Sequence, residues 1–120
     1  MTDSRTPRTL GKLTAAYHWR DGAHFDHDYY GDAHARLAIG LLAPLGLLRF
    51  ESERAAVAPP PRAGALVACA SAWFDSLASA QAAAAATMAA LAADVPNYTD
   101  LRPVLHVCEV TGHRLPGDGG

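Results

Sequence analysis

Lysine is nearly absent from this chain. Lys12 is the only one, and the arginines are scattered along the 120 residues. Binding to a phosphate backbone requires clustered cations, so nucleic acid is excluded as a partner on composition. Only 18% of residues are charged and the formal net charge is −2, while half are hydrophobic, which is the balance of a globular protein and not of a disordered one. Cysteine is equally scarce. Cys69 and Cys108 lie inside apolar runs at a spacing that matches no zinc pattern, and both read as small buried thiols. No apolar run reaches the roughly 18–20 residues of a membrane span, and the N-terminal MTDSRTPRTLGK is polar. These features predict a soluble cytoplasmic protein with no membrane contact. There is no Gly-rich strand-to-helix turn, no P-loop and no nucleophile elbow, so no bound cofactor is expected. His24, Asp26, His27 and Asp28 crowd together, but fit no recognised metal-ligand spacing and read as a solvated loop.

The length suits one domain, expected over residues 10–111 between flexible tails at 1–9 and 112–120. Leu13, Ala15, Tyr17 and Trp19 alternate with Thr14, Ala16 and His18, which predicts a first strand ended by Arg20-Asp21-Gly22. Asp26 is placed to cap a helix, with Phe25 and Tyr30 as its hydrophobic staple. Tyr30, His34, Leu37 and Leu41 recur at helical spacing and are expected to face the sheet, and Pro44 and Gly46 end the helix. Residues 47–53 form a second strand, with Leu48 and Phe50 opposite Arg49, Glu51 and Glu53. The prolines at 59–61 require a loop, and residues 65–74 form a third strand. The alanine-rich run after Asp75-Ser76 is a helix with Leu77, Ala80, Ala84, Met88 and Leu91 buried. Residues 101–110 form the fourth strand.

This order is βαββαβ, the ferredoxin-like α+β arrangement with both helices on one face of an antiparallel sheet. In the third strand Ala65, Val67, Cys69 and Trp73 oppose Leu66, Ala68, Ala70 and Phe74. In the fourth, Val104, His106, Cys108 and Val110 oppose Leu105 and Val107. A half-solvated sheet alternates apolar with polar residues; these strands do not. An apolar second face marks an interface, for which a two-fold homodimer is the commonest solution.

Three segments carry a family resemblance: Phe25-Asp26-His27-Asp28-Tyr29-Tyr30 followed by His34, Trp73-Phe74-Asp75-Ser76-Leu77, and Val95-Pro96-Asn97-Tyr98-Thr99-Asp100 with the strand after it. Together they make residues 12–111 resemble the EthD-type proteins. The resemblance implies a dimeric α+β barrel, in which sheets from two chains pack together with helices outside. It implies fold more firmly than reaction. EthD-type proteins are named for ether degradation and often labelled oxidoreductases, and the wider superfamily includes cofactor-free monooxygenases, cyclases, decarboxylases and isomerases. The chain departs from the family at Arg36, where proline is frequent.

His34 is the expected acid or base, because imidazole titrates near neutrality and this one points between helix and sheet. A core histidine bonded to a backbone carbonyl or to Tyr30 fits the same spacing. Tyr30 is placed to orient His34 or a substrate oxygen. Tyr17, Trp19, Phe50, Trp73 and Tyr98 offer aromatic surface to a hydrophobic small-molecule ligand, with Tyr98 as a gate, and His106 is a weaker candidate. Asp94, Asp100 and Glu109 read as caps or surface charge. The expected function is a small cofactor-independent enzyme of monooxygenase or proton-transfer type; a non-catalytic binding protein and a structural dimer are the other readings.

Overall fold

The computed structural model describes residues 8–117. A four-stranded antiparallel sheet in the order β2-β3-β1-β4 carries the helices on one face. The strands are β1 (Arg8–His18), β2 (Arg49–Arg54), β3 (Leu66–Phe74) and β4 (Val104–Gly112). Residues 1–7 of the expected N-terminal tail and 118–120 of the C-terminal one lie outside the described residues, but Arg8 and Thr9 belong to β1 and Gly112 closes β4. No helix among the described residues is long and apolar enough to cross a membrane.

The first helical stretch is built in pieces: α1 (His27–Tyr29), a π-helical turn (Tyr30–His34), α2 (Ala35–Leu42) and a 3-10 turn (Ala43–Leu45) ended by Gly46 at φ 94°. Asp26 caps it as expected, accepting from the Tyr29 amide at 3.1 Å, and the Phe25 and Tyr30 rings meet at 5.0 Å. The π turn corrects the expected stripe. A turn with i→i+5 bonds holds one residue more than an α turn, so positions beyond His34 are rotated by one. Ala38 and Leu42 are buried, whereas Leu37 is 37% exposed and Leu41 is half-buried.

The long helix α3 (Leu77–Asp94) starts at Ser76, whose side chain accepts from the Ser79 amide. It buries Ala80, Ala83, Ala84 and Thr87, and Met88 is 43% exposed, not buried as expected. The small face allows close approach to β1. A Cβ on Gly11 would lie 2.0 Å from the Ser76 carbonyl oxygen and 2.9 Å from Ala80 Cβ, so glycine is required there by contact with backbone.

Inward residues follow from register. Leu13, Ala15 and Tyr17 of β1 pair with Ala72, Ala70 and Ala68 on one side and Leu13 and Ala15 with Val107 and Leu105 on the other. A bulge between Tyr17 and His18 sets Tyr17 against Ala68 but His18 against Leu66. Val67, the extra residue, joins the inner core with Tyr17 and Ala68 instead of the outer face. The outer face is also less apolar than the pattern implied, because Thr14 and Ser71 meet at its centre, their hydroxyls 3.5 Å apart. Its apolar part lies towards β4, where Val104 is 45% exposed and pairs with Ala16. Cys108 is exposed there and Cys69 is partly buried, so neither is the fully buried thiol expected. Leu48 precedes β2 and is exposed, while Phe50 packs under the helices.

Gly11→Ala tests the contact between α3 and β1. Overpacking of this kind costs about 1–3 kcal/mol, with the upper end expected because the obstacle is backbone. Urea unfolding should show a lower midpoint at unchanged slope; Gly112→Ala, whose nearest neighbour lies at an ordinary 3.7 Å, should leave the midpoint nearly unchanged.

Candidate functional site

His34 ends the π turn and is 8% exposed, between helix and sheet. Its Nδ1 lies 2.8 Å from Oδ2 of Asp94, the last residue of α3. Sequence reasoning missed this partner by assigning Asp94 to caps or surface charge. A signal was present: a carboxylate in the last turn of a helix opposes the helix dipole and needs donors to stay. Asp94 has three. Besides His34, the Tyr29 hydroxyl and the Asn97 amide each donate to Oδ1 at 2.8 Å. Burial pushes the Asp94 carboxyl up, but the bonds from His34, Asn97 and Tyr29 outweigh it and hold the group below its ordinary value.

With Nδ1 donating to that carboxylate, the lone pair of neutral His34 sits on Nε2. Nε2 faces the Tyr98 hydroxyl at 3.4 Å, and the Tyr98 and Tyr17 hydroxyls are 2.5 Å apart. Burial is the main cause raising the Tyr17 hydroxyl, and burial followed by the bond to Tyr17 raises Tyr98. Both therefore stay protonated near neutrality and act as donors. The result is one chain, Asp94–His34–Tyr98–Tyr17, drawn from α3, the π turn, the loop after α3 and β1.

Tyr98 is fixed in place. The Asp26 amide donates to its carbonyl at 2.8 Å, and Thr99 donates its hydroxyl to the His24 carbonyl at 2.7 Å. Asp100 accepts from the His24 amide at 3.0 Å and pairs with Arg20 at 3.1 Å. At 1% exposure, Tyr98 is buried among Tyr17, Phe25, Tyr30 and His34 and not free to act as the gate expected of it. Tyr30 lies stacked on His34, ring centroids 5.4 Å apart at 14°. Its hydroxyl has no hydrogen-bond partner among the described residues, so it positions the imidazole by packing and not by a hydrogen bond.

The chain of hydroxyls ends at a cavity of about 90 Å³ bordered by Tyr17, His34, Leu13, Thr87, Met88 and Leu105. Thr87 donates to the Ala83 carbonyl within its own helix, leaving His34 and Tyr17 as the polar groups offered to a ligand. A cavity of about 50 Å³ adjoins it across His34 and is bordered by Phe50. Tyr17, Phe50, Tyr30, Tyr98 and His34 are thus gathered. Three other candidates are not. Trp19 borders a separate pocket. Trp73 lies on the outer face beneath Lys12 and Arg49, and His106 lies on that face beside Thr14.

A family model described as EthD domain matches residues 23–102. An EthD-like protein from Ralstonia eutropha superposes with a TM-score of 0.71 at 31% identity, over 89% of this chain and 96% of that one. An ethyl tert-butyl ether d (EthD) family protein from Bacillus halodurans gives a TM-score of 0.57 at 20% identity, over 84% and 98% of the two chains, which shows shared fold. No curated protein matches the chain.

The lowered Asp94 carboxyl fixes the sign of a pH effect. Its contribution to stability is fully present above the ordinary carboxylate value of about 4 and is lost as pH falls through the lower folded value. Unfolding midpoints of wild type and Asp94→Asn should therefore differ by a constant amount between neutral pH and mildly acid pH and converge in strong acid. An unchanged difference at the acid end contradicts the assignment.

Proposed function

The chain belongs to the EthD family, and from that premise we propose that it is a cofactor-independent enzyme moving a proton on a hydrophobic small molecule, with His34 as acid and base. The observation that carries this reading is the hydrogen-bonded Asp94–His34–Tyr98–Tyr17 chain ending at an apolar cavity. Asp94 holds the imidazole in the tautomer that leaves the Nε2 lone pair to accept a proton, with the Tyr98 hydroxyl turned to donate to Tyr17, and stabilises the imidazolium that forms. A substrate with an acidic C–H beside a carbonyl loses that proton to Nε2, and the C–H electron pair becomes an enolate. The Tyr17 hydroxyl at the cavity edge donates to the enolate oxygen, in a site where little water competes. Return of the proton from the imidazolium to another carbon completes an isomerisation or prepares a ring closure.

The cavity is smaller than the ~300 Å³ and more typical of drug-sized ligands, so one chain alone encloses only part of such a molecule. The second part of the proposal follows: the active form is a homodimer. Val104, Leu105 and Val107 of β4 are 45%, 41% and 36% exposed, and Leu105 borders both the cavity and solvent. Covering β4 with a second copy removes this apolar surface from water and closes the cavity mouth.

Hydrogen–deuterium exchange of enolisable apolar ketones in deuterium oxide tests the chemistry by NMR. General acid–base catalysis contributes about 10²–10⁴-fold, so His34→Ala should lose at least about a hundredfold of the protein-dependent exchange rate, and Asp94→Asn a smaller part. Exchange that survives in His34→Ala refutes the catalytic role; ketone binding without exchange in the wild type makes the protein a carrier. Sedimentation equilibrium should return twice the 12.6 kDa chain mass at micromolar concentration, and Val104→Glu should shift it towards that mass. A monomeric wild type refutes the assembly.

A further inference from the structure

A second cavity, larger than the one beside His34, does not include that residue. It measures about 310 Å³ and lies where the ends of β1 and β2 meet the start of the first helix and the proline loop. Trp19, Phe25, Val67 and Pro61 form apolar walls, and Arg54 and His27 are its charged or ionisable members. This volume falls within the range of small-molecule sites.

Arg54 is out of place by the pattern of its strand. It pairs with Ala68, which faces the helices, so β2 sends a guanidinium towards the face where it also sends Phe50. Among the described residues no carboxylate pairs with Arg54. Asp26 on the helix side is engaged as the cap of α1, and Asp28 on the helix is exposed. His27 stacks at 4.7 Å on Phe25. Burial first, then the charge of Arg54, pushes His27 below its ordinary value, against the opposite pull of Asp28 and Asp26. At neutral pH the pocket therefore presents one full positive charge, one neutral imidazole and flat aromatic walls.

We infer that this pocket binds an aromatic monocarboxylate, its ring between Trp19, Phe25 and the proline loop and its carboxylate paired with Arg54 and hydrogen-bonded to His27. A guanidinium takes a carboxylate in a two-point, charge-assisted contact. A single cation matches a monoanion and leaves the second charge of a phosphate monoester unpaired. Phe25 also packs against Tyr17 at 5.2 Å and Tyr30 at 5.0 Å, so the pocket shares a wall with the packing around His34 without sharing its cavity.

The probe is 2-naphthoate, with 2-naphthylmethanol as its uncharged counterpart, titrated into the full chain and followed by the indole N–H signals of Trp19 and Trp73. Trp73 on the outer face is the internal control. Saturable shifts at Trp19 with 2-naphthoate, at least about tenfold weaker with the alcohol or in Arg54→Gln and partly restored in Arg54→Lys, are the expected result. Equal affinity for the acid and the alcohol, unchanged affinity in Arg54→Gln, shifts confined to Trp73, or no saturable shift at all would each overturn the inference. Arg54 lies at the exposed end of an edge strand, so its substitution leaves the core packing intact. Circular dichroism of the two variants confirms that they are folded, and none of these outcomes depends on the role of His34.

Discussion

A carboxylate at the wrong end of a helix organises this protein. Asp94 sits in the last turn of α3, where the helix dipole opposes negative charge, and three donors from separate segments hold it there. Those donors come from the end of α1, the π turn and the turn after α3. The same group that would destabilise an isolated helix therefore ties the two helical stretches together. It also fixes the imidazole tautomer, without which the free nitrogen of His34 would not face the tyrosine hydroxyls.

The π turn serves the same arrangement. An uninterrupted α-helix from Asp26 would direct Leu37 and Leu41 at the sheet and carry the small Ala38 aside. The one-residue offset after His34 instead buries Ala38 and Leu42, and lets the first helix lie close to a sheet whose inner surface is largely alanine. The small face of α3 achieves the same closeness over β1, with Gly11 at the tightest contact. Close layers leave only a cavity of about 50 Å³ at the centre, and the two larger ones lie towards the margins. One opens beside β4, and the other opens under the proline loop.

Much of the fold was legible because its causes are local. Alternation along β1, the cap and staple around Asp26, the proline loop and the helix-forming run of alanine each act within a few residues, and the βαββαβ order follows from them. His34, Tyr30, Tyr17, Tyr98 and Phe50 were legible as inward residues of the candidate site because they lay on faces that periodicity directs inward. The misses share a reason. Leu37 and Met88 were assigned by an ideal period that a wide turn and a small-residue face override. Val67 was assigned without knowledge of the bulge. Trp19, Trp73 and His106 lie away from the cavity beside His34, because no local rule says which end or face of a sheet a cavity takes; Trp19 borders the other one.

Asp94 marks the boundary between the two kinds of information. From its own sequence the chain determined which segments are strands and helices, which faces are apolar and that a histidine points inward. These depend on propensity and on periods of two and 3.6, which are properties of neighbouring residues. Only the tertiary structure decided that Asp94, sixty positions from His34, is its partner, that the imidazole leads through Tyr98 to Tyr17, and that Arg54 borders a pocket with no paired carboxylate among the described residues. Each of these requires knowing the distance between segments remote in the chain, and that distance is set by how closely alanine-faced layers can approach.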